Sequence, residues 1–173
     1  MARPVDPERR AELLRLAVDY AIEHGVADLT LRPLAEALGV RPNTLVHHFG
    51  GKERLLSEIL NGVRDRLRGM RAAMAEQNGG DAVLATWRWT ADEERLPFFR
   101  FFFEAYGVAL RHPERYEAFL RRVVADWLPE GGEREATLEL AVQRGLLLDL
   151  LTTGERERVE GALALFAELA AAV

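Results

Sequence analysis

The 173-residue chain contains no cysteine, so it can form neither a disulfide nor a thiolate metal site. No apolar run approaches the roughly 18 residues that a transmembrane helix requires. The stretch MARPVDPERR at the start is too charged for a secretory signal. A nucleophile–base–acid grouping, a phosphate-binding loop and a metal-binding cluster are also lacking. These absences predict an intracellular protein that is not an enzyme, holds no metal and needs no cofactor.

Positive charge is scarce as well, because the chain carries 23 Lys and Arg against 28 Asp and Glu. The deficit is uneven along the sequence. Residues 1–68 contain 11 basic and 10 acidic side chains, whereas the remainder contains 12 and 18. The first part is therefore close to neutral and the second part acidic, which indicates a protein of two parts with different partners. Any binding of a polyanion by the first part must depend on a few well-placed cations.

Helical periodicity runs through the chain, and neither strand-like alternation nor a hairpin turn interrupts it. The first helix is predicted to start at Asp6-Pro7, where an N-cap carboxylate precedes a proline, and to end at Gly25. In the second half of the chain, helices are predicted over residues 81–90, 96–111, 113–128, 133–152 and 155–172. The protein is therefore predicted to be all-α.

The stretch from Thr30 to Leu56 contains two short helices and the start of a longer one. Thr30 is suited to cap the second helix, Gly39 to end it in the left-handed conformation, and Pro42 to begin a third helix that reaches Phe49. Eight residues span about 12 Å, close to the roughly 12 Å width of the DNA major groove. A tight turn before such a helix is typical of a helix-turn-helix DNA-binding unit, and it also suits a plain three-helix bundle.

The residue string in this stretch resembles the DNA-binding domain of TetR-family transcriptional regulators, most closely over Pro7–Leu60. The matching residues are Thr30, Leu34, Ala35, Gly39, Val40, Leu45, His48, Phe49, Lys52, Glu53 and Leu55. The resemblance implies an N-terminal three-helix helix-turn-helix DNA-binding domain over residues 1–51. It also implies a C-terminal helical ligand-binding and dimerisation domain over residues 52–173. Arg41 and Val46 depart from the family motif, which usually has serine and tyrosine at these positions.

Carried over position by position, the resemblance implies two kinds of DNA contact. Residues implied to contact bases are Arg32, Pro42, Asn43 and Val46; those implied to contact phosphates are Thr44, His47, His48 and Lys52. Arg41 adds a cation at the groove edge, and Val46 can contact a thymine methyl. His47 and His48 diverge by about 100° around a helix, so a shared metal site is not expected, and His48 also fits a core or capping role.

Aromatic residues are concentrated in one segment, because 11 of the 14 lie between Trp87 and Trp127. In the simplest interpretation these rings fill a core. The resemblance implies instead that some of them line a cavity for a small apolar or aromatic effector. The candidate ligand-binding residues are Trp87, Phe98, Phe102, Phe103, Tyr106, Phe119 and Trp127.

The last two predicted helices carry apolar stripes that two copies of the chain can share in a four-helix interface. Both stripes can also pack within one monomer, but the resemblance favours a homodimer. The candidate interface residues are Leu138, Ala141, Val142, Gly145, Leu148, Val159, Ala162, Leu163 and Phe166.

Together these features lead us to expect a cytoplasmic, ligand-responsive transcriptional regulator, and a repressor rather than an activator. Its expected partners are a palindromic double-stranded DNA operator, a small-molecule effector that releases the protein from DNA, and a second copy of the chain. No membrane partner is expected. The alternative is an all-α protein–protein interaction adaptor that keeps the helix-turn-helix fold but no longer binds DNA.

Overall fold

The computed structural model describes residues 6–27, 29–77, 82–126, 128 and 134–171, and all regular elements within these ranges are α-helices. In chain order they are α1 (Pro7–His24), α2 (Leu31–Ala37), α3 (Pro42–Phe49), α4 (Lys52–Gln77), α5 (Ala82–Thr90), α6 (Leu96–Arg111), α7 (Glu117–Ala125), α8 (Arg134–Thr153) and α9 (Arg156–Ala171). The prediction of an all-α protein is confirmed.

Most predicted helix ends lie within one or two residues of the observed ones, and α3 and α6 span the residues predicted for them. The exception is the helix predicted over 113–128, since α7 begins only at Glu117 and ends at Ala125. The residues before it form turns, in which the amides of Arg115 and Tyr116 both donate to the carbonyl of His112. Tyr116 is buried, and this anchors the turn. Three other predicted ends, at Asp81, Glu133 and Ala172, lie outside the described residues.

The chain divides into two compact units. The first comprises the residues up to Leu67 together with Phe101–Arg121, and the second comprises Arg68–Arg100 together with the residues from Arg122 onward. This grouping by contacts differs from the sequence division after residue 51. The first part of α4 and most of α6 associate with the helix-turn-helix.

In the first unit, α2 packs against α3, and both contact α1. Each of these helices, and α4 beside them, buries one apolar face. The most deeply buried residues of these four helices are Leu13, Ala17, Ala21, Leu34, Ala35, Leu45, Leu55, Ile59, Leu60 and Val63. Full burial of a leucine-sized side chain stabilises the fold by about 1.5–3 kcal/mol, so this shared core fixes the inner faces of α2 and α3.

In the second unit, α8 and α9 lie side by side, joined by a turn at Gly154, and α5 contacts both. Val159 and Leu163 of α9 are buried, at 0% and 2% exposure. The guanidinium of Arg156 donates to the carbonyl of Ala91 at 2.8 Å, which ties the start of α9 to the end of α5. The inner face of α9 therefore packs within the chain.

Candidate nucleic-acid interface

The turn between α2 and α3 sets the direction in which α3 leaves the core. Gly39 adopts the left-handed conformation, with φ of +66°. Its amide donates to the carbonyl of Glu36 at 3.1 Å, and the amide of Val40 donates to the carbonyl of Ala35 at 2.9 Å. These two bonds form a Schellman motif, which satisfies carbonyls that the helix end leaves free. An added Cβ at Gly39 meets nothing within 4 Å, so the backbone angle alone requires glycine there.

Helix α3 has an inner and an outer face. Leu45 and Phe49 are 0% and 3% exposed and join the core of the first unit. Residues of the outer face are exposed: Pro42, Asn43, Val46 and His47. Val46 is among the exposed large apolar side chains of the described chain, at 42%. The predicted base-contacting residues of α3 thus lie outside the buried core.

Both ends of α3 are defined by residues that fix the backbone. Arg41 is the N-cap residue, but its side chain makes no capping bond to the described backbone, as expected when arginine replaces serine. Pro42 occupies the first helical position. At the other end Gly50 and Gly51 have φ of +79° and +136°, and α4 starts at the exposed Lys52 directly after them. The free amides and the ammonium at this start suit an anion such as a phosphate.

The three predicted cations are exposed and unpaired within the described part of the chain. Arg32 lies in the first turn of α2, Arg41 precedes α3, and Lys52 begins α4. Many other arginines of the chain are paired with carboxylates, as Arg15 is with Asp19 at 3.2 Å. Cations that lack internal partners are available to an external polyanion.

His47 and His48 have different surroundings although they are adjacent, with rings in an edge-to-face arrangement at 5.3 Å. His47 is exposed, whereas His48 is half-buried. The Nδ1 atom of His48 is buried and finds no hydrogen-bond partner among the described residues. Burial, and then the neighbouring His47, lower the pKa of His48 below its usual 6.5. His48 is therefore neutral at pH 7, and Nε2 is the nitrogen left for a phosphate. Thr44 is half-buried as well.

Sequence reasoning missed Arg10 in α1. Its Nε donates to the carbonyl of His48 at 3.1 Å, and one terminal nitrogen lies 2.5 Å from both carboxylate oxygens of Glu58 in α4. The guanidinium carbon also lies 5.1 Å from the ring centroid of Phe49. These partners are 38 to 48 residues away along the chain, so no local pattern indicates them.

Glu104 in α6 was missed for the same reason. Its Oε1 accepts hydrogen bonds from the backbone amides of Val26 at 2.9 Å and Ala27 at 2.8 Å. Both amides belong to the loop between α1 and α2, directly after Gly25, whose φ is +84°. One oxygen of α6 therefore holds the loop that leads into the helix-turn-helix.

The predicted ligand-binding residues are divided between the two units. Phe102, Phe103, Tyr106 and Phe119 belong to the first unit. The ring centroid of Phe102 lies 5.7 Å from that of Phe103 and 6.0 Å from that of Tyr106, and the centroids of Tyr106 and Phe119 lie 6.2 Å apart. Phe102 and Phe119 are buried, and the other two are half-buried. Trp87 and Phe98 are buried in the second unit, and Trp127 lies outside the described residues.

The predicted dimer residues also fall into two groups. Most are exposed or half-buried on α8 and α9: Leu138, Ala141, Val142, Gly145, Leu148, Ala162 and Phe166. Val159 and Leu163 are instead buried within the chain, since they hold α9 to its own unit. Leu165 and Leu169 are 57% and 61% exposed, so the uncovered apolar face of α9 includes two leucines outside the predicted set.

The described residues contain no group of three or more His, Cys, Asp or Glu side chains able to hold a metal ion. None of the described helices is long and apolar enough to cross a membrane.

A family model described as bacterial regulatory proteins, tetR family, matches residues 13–59, which cover most of α1, all of α2 and α3, and the start of α4. The HTH-type transcriptional repressor KstR2 of Rhodococcus jostii (strain RHA1) is 43% identical over 61 residues. That stretch is 35% of this chain and 30% of KstR2, so the match spans less than a third of the curated relative.

Solved structures share the architecture along nearly the whole chain. A transcriptional regulator from Rhodococcus sp. Rha1 has a TM-score of 0.72 at 24% identity, covering 92% of this chain and 94% of that one. The multidrug binding protein EbrR, solved in complex with imidazole, has a TM-score of 0.64 at 22% identity, covering 92% and 89%. These likenesses confirm the predicted fold class, an N-terminal helix-turn-helix followed by a helical domain.

Proposed function

We propose that this chain, which belongs to the tetR family of bacterial regulatory proteins, is a DNA-binding transcriptional regulator that acts in the cytoplasm as a homodimeric repressor. The outer face of α3 carries the proposal. Val46 and Asn43 are exposed there, while Leu45 and Phe49 hold the inner face to the core. The valine methyl groups suit contact with a thymine methyl, and the asparagine amide suits hydrogen bonds to a base edge in the major groove.

The proposed DNA contacts divide by chemistry. Arg32, Pro42, Asn43 and Val46 are assigned to base edges, because such contacts depend on side chains that protrude into the groove. The remaining candidates are assigned to phosphates: Arg41, Thr44, His47, His48 and Lys52. His48 contributes through Nε2 as a neutral donor, since its Nδ1 is buried. This division supports a binding mode in which contacts to phosphates orient the protein on the duplex and α3 recognises the base sequence.

We further propose that residues 1–51 bind DNA and residues 52–173 bind an effector and form the dimer. The ring cluster of Phe102, Phe103, Tyr106 and Phe119 supports a small apolar or aromatic effector. EbrR, a multidrug binding protein solved in complex with imidazole, supports effector binding in this fold. An effector that prefers the non-binding arrangement by about 1–3 kcal/mol weakens operator binding about 5- to 150-fold.

The proposed dimer uses the exposed apolar residues of α8 and α9. Leu138 and Leu148 are 57% and 48% exposed, and Ala141 and Gly145 between them allow another helix to approach closely. Val159 and Leu163 lie on the inner face of α9, pack within the chain and are not themselves proposed as dimer contacts. Two copies related by a two-fold axis present two α3 helices, which matches a palindromic operator. The relative KstR2 is a transcriptional repressor, which supports repression as the proposed mode of action.

The experiment that tests this function is the selection of 30-base-pair duplexes from a random library by the full-length protein. We expect a palindromic sequence to be enriched and to bind far more tightly than a scrambled duplex of the same composition. With Arg41 and Lys52 on each of two protomers as cationic contacts, the logarithm of the affinity should fall with the logarithm of salt concentration with a slope of about −4. A folded dimer that binds no duplex at low salt contradicts the proposal and favours the adaptor.

Two matched variants test whether the outer face of α3 is the surface that recognises DNA. Asn43→Ala should reduce the affinity for the selected duplex, because the side chain is exposed on α3 and contributes nothing to the core. Arg15→Ala is the control, since it removes an exposed charge from α1 that is already paired with Asp19. If both variants lose affinity equally, the outer face of α3 is not the recognition surface.

A further inference from the structure

We infer that Arg10 is a positioning residue for DNA recognition, in that it fixes how α3 presents its outer face. This inference rests on the proposed function. Arg10 lies in the first turns of α1, and its guanidinium contacts two other helices, α3 through His48 and Phe49 and α4 through Glu58. Arg10 thereby joins α1 to both α3 and α4 by polar contacts.

The contact with α3 is made at a position where the helix needs a donor. The last carbonyls of a helix have no partner within it, and the carbonyl of His48 is one of them. Gly50 donates its amide to Val46, one turn earlier. Nε of Arg10 supplies the donor for His48 from α1, at 3.1 Å, in a charge-assisted bond. The end of α3 is thus held by a group outside its own helix.

The core fixes which face of α3 is buried, but apolar contacts are not directional. Leu45 and Phe49 keep the helix at a set distance from the core, but α3 is only eight residues long. A short helix held by two apolar side chains can rotate or slide slightly without losing much burial. A directional bond to the His48 carbonyl, with the cation above the Phe49 ring, opposes that movement.

The guanidinium is itself held in one orientation. Both carboxylate oxygens of Glu58 lie 2.5 Å from one terminal nitrogen of Arg10, and the two side chains are 37% and 27% exposed. The planar guanidinium directs Nε to the carbonyl and a terminal nitrogen to the carboxylate in one fixed geometry. A lysine keeps the charge, but its single ammonium on a flexible stem replaces two nitrogen atoms that are held at separate positions.

The test compares Arg10→Lys with wild type on two duplexes, the palindrome selected by the wild-type protein and its scrambled version. We expect Arg10→Lys to weaken binding of the selected palindrome about tenfold, the worth of one well-made base contact. Its affinity for the scrambled duplex should change less than about twofold and its salt slope should be unchanged, because the charge is retained. Arg9→Lys is the matched control, since the ion pair that Arg9 forms among the described residues is with Glu12, one turn away on the same helix.

Glu58→Gln provides a second variant that leaves Arg10 in place and removes the charge that orients it. We expect a smaller loss on the selected palindrome, and in the double variant a loss below the sum of the two, because both act through one contact. Thermal unfolding checks that each variant is folded at the assay temperature.

Three results overturn the inference. If the Arg10→Lys variant binds both duplexes as tightly as wild type, the contact of Arg10 with α3 is not needed for DNA recognition. An equal loss on both duplexes, or a changed salt slope, shows a contribution to overall stability or a direct phosphate contact instead. Failure of the wild-type protein to select any duplex overturns the proposed function, and the positioning role with it.

Discussion

Replacing Glu104 by alanine and, separately, by glutamine tests how the loop between α1 and α2 is held. Both loop amides, those of Val26 and Ala27, donate to the same oxygen, Oε1. A glutamine side chain offers an equivalent oxygen with two lone pairs, so it can accept both bonds without a charge. Alanine offers none, and the two amides then lose their acceptor.

The expected magnitudes follow from the surroundings of each amide. A hydrogen bond to a charged group contributes about 1.5–3 kcal/mol, and an amide left buried without a partner costs a similar amount. The amide of Ala27 is exposed and regains water, whereas that of Val26 is partly buried. We therefore expect Glu104→Ala to lower the free energy of unfolding by about 2–3 kcal/mol. Glu104→Gln should lower it by about 1 kcal/mol, because a neutral acceptor forms weaker bonds.

Urea unfolding at pH 7 measures the two losses, with the midpoint expected to shift and the slope to stay constant. Hydrogen exchange of the Val26 amide gives an independent reading, and it should accelerate strongly in Glu104→Ala and little in Glu104→Gln. Equal losses in the two variants would show that the charge of Glu104 matters and the acceptor geometry does not. No loss in Glu104→Ala would refute the reasoning altogether, since the loop would then be held by other contacts.

Three further outcomes are expected. Arg32→Ala should weaken the selected operator by about 1–3 kcal/mol while sparing scrambled DNA, if its exposed guanidinium contacts a base; equal loss on both duplexes would reassign Arg32 to the phosphate backbone. Lys52→Ala should weaken binding to all duplexes and reduce the magnitude of the salt slope by about 1 per protomer; an unchanged slope would remove Lys52 from the contacts. The free energy of unfolding should fall as the pH drops through 6.5, because the unfolded chain protonates His48 there and burial lowers the pKa of His48 in the folded state. Urea unfolding from pH 7.5 to 5 measures this. His48→Asn should flatten the profile, and His47→Asn should flatten it less, because burial is the larger cause of the lowered pKa and His47 the second.

The helix-turn-helix could be predicted closely from the sequence because its boundaries are marked by residues with few conformational options. Pro42 fixes the start of α3, Gly50 its end, and Gly39 the turn before it, so α3 spans the residues predicted. Alternation of buried and exposed positions then places Leu45 inward and Val46 outward, as local periodicity indicates. The start of α7 has no such marker, since Pro113 suits either a turn or a first helical turn.

Contacts between distant parts of the chain were beyond sequence reasoning. Arg10 stands in a run of charged residues, and nothing near it indicates that it meets His48 and Glu58. For α9 the sequence does not indicate which of its two apolar faces is buried within the chain. Val159 lies on the face packed within the chain and Leu165 on the uncovered one, yet both faces are apolar in the sequence.

The separation of α3 into an inner and an outer face has an evolutionary consequence. Exposed residues such as Asn43 and Val46 lie outside the buried core, so their replacement is expected to change the free energy of unfolding by no more than about 0.5 kcal/mol. In a homodimer one codon change alters both half-site contacts at the same time. After gene duplication, a daughter copy can therefore acquire a new operator through a few mutations that are neutral for folding. Mutations of Leu45 or Phe49 offer no such route, because they remove the support on which every operator preference depends.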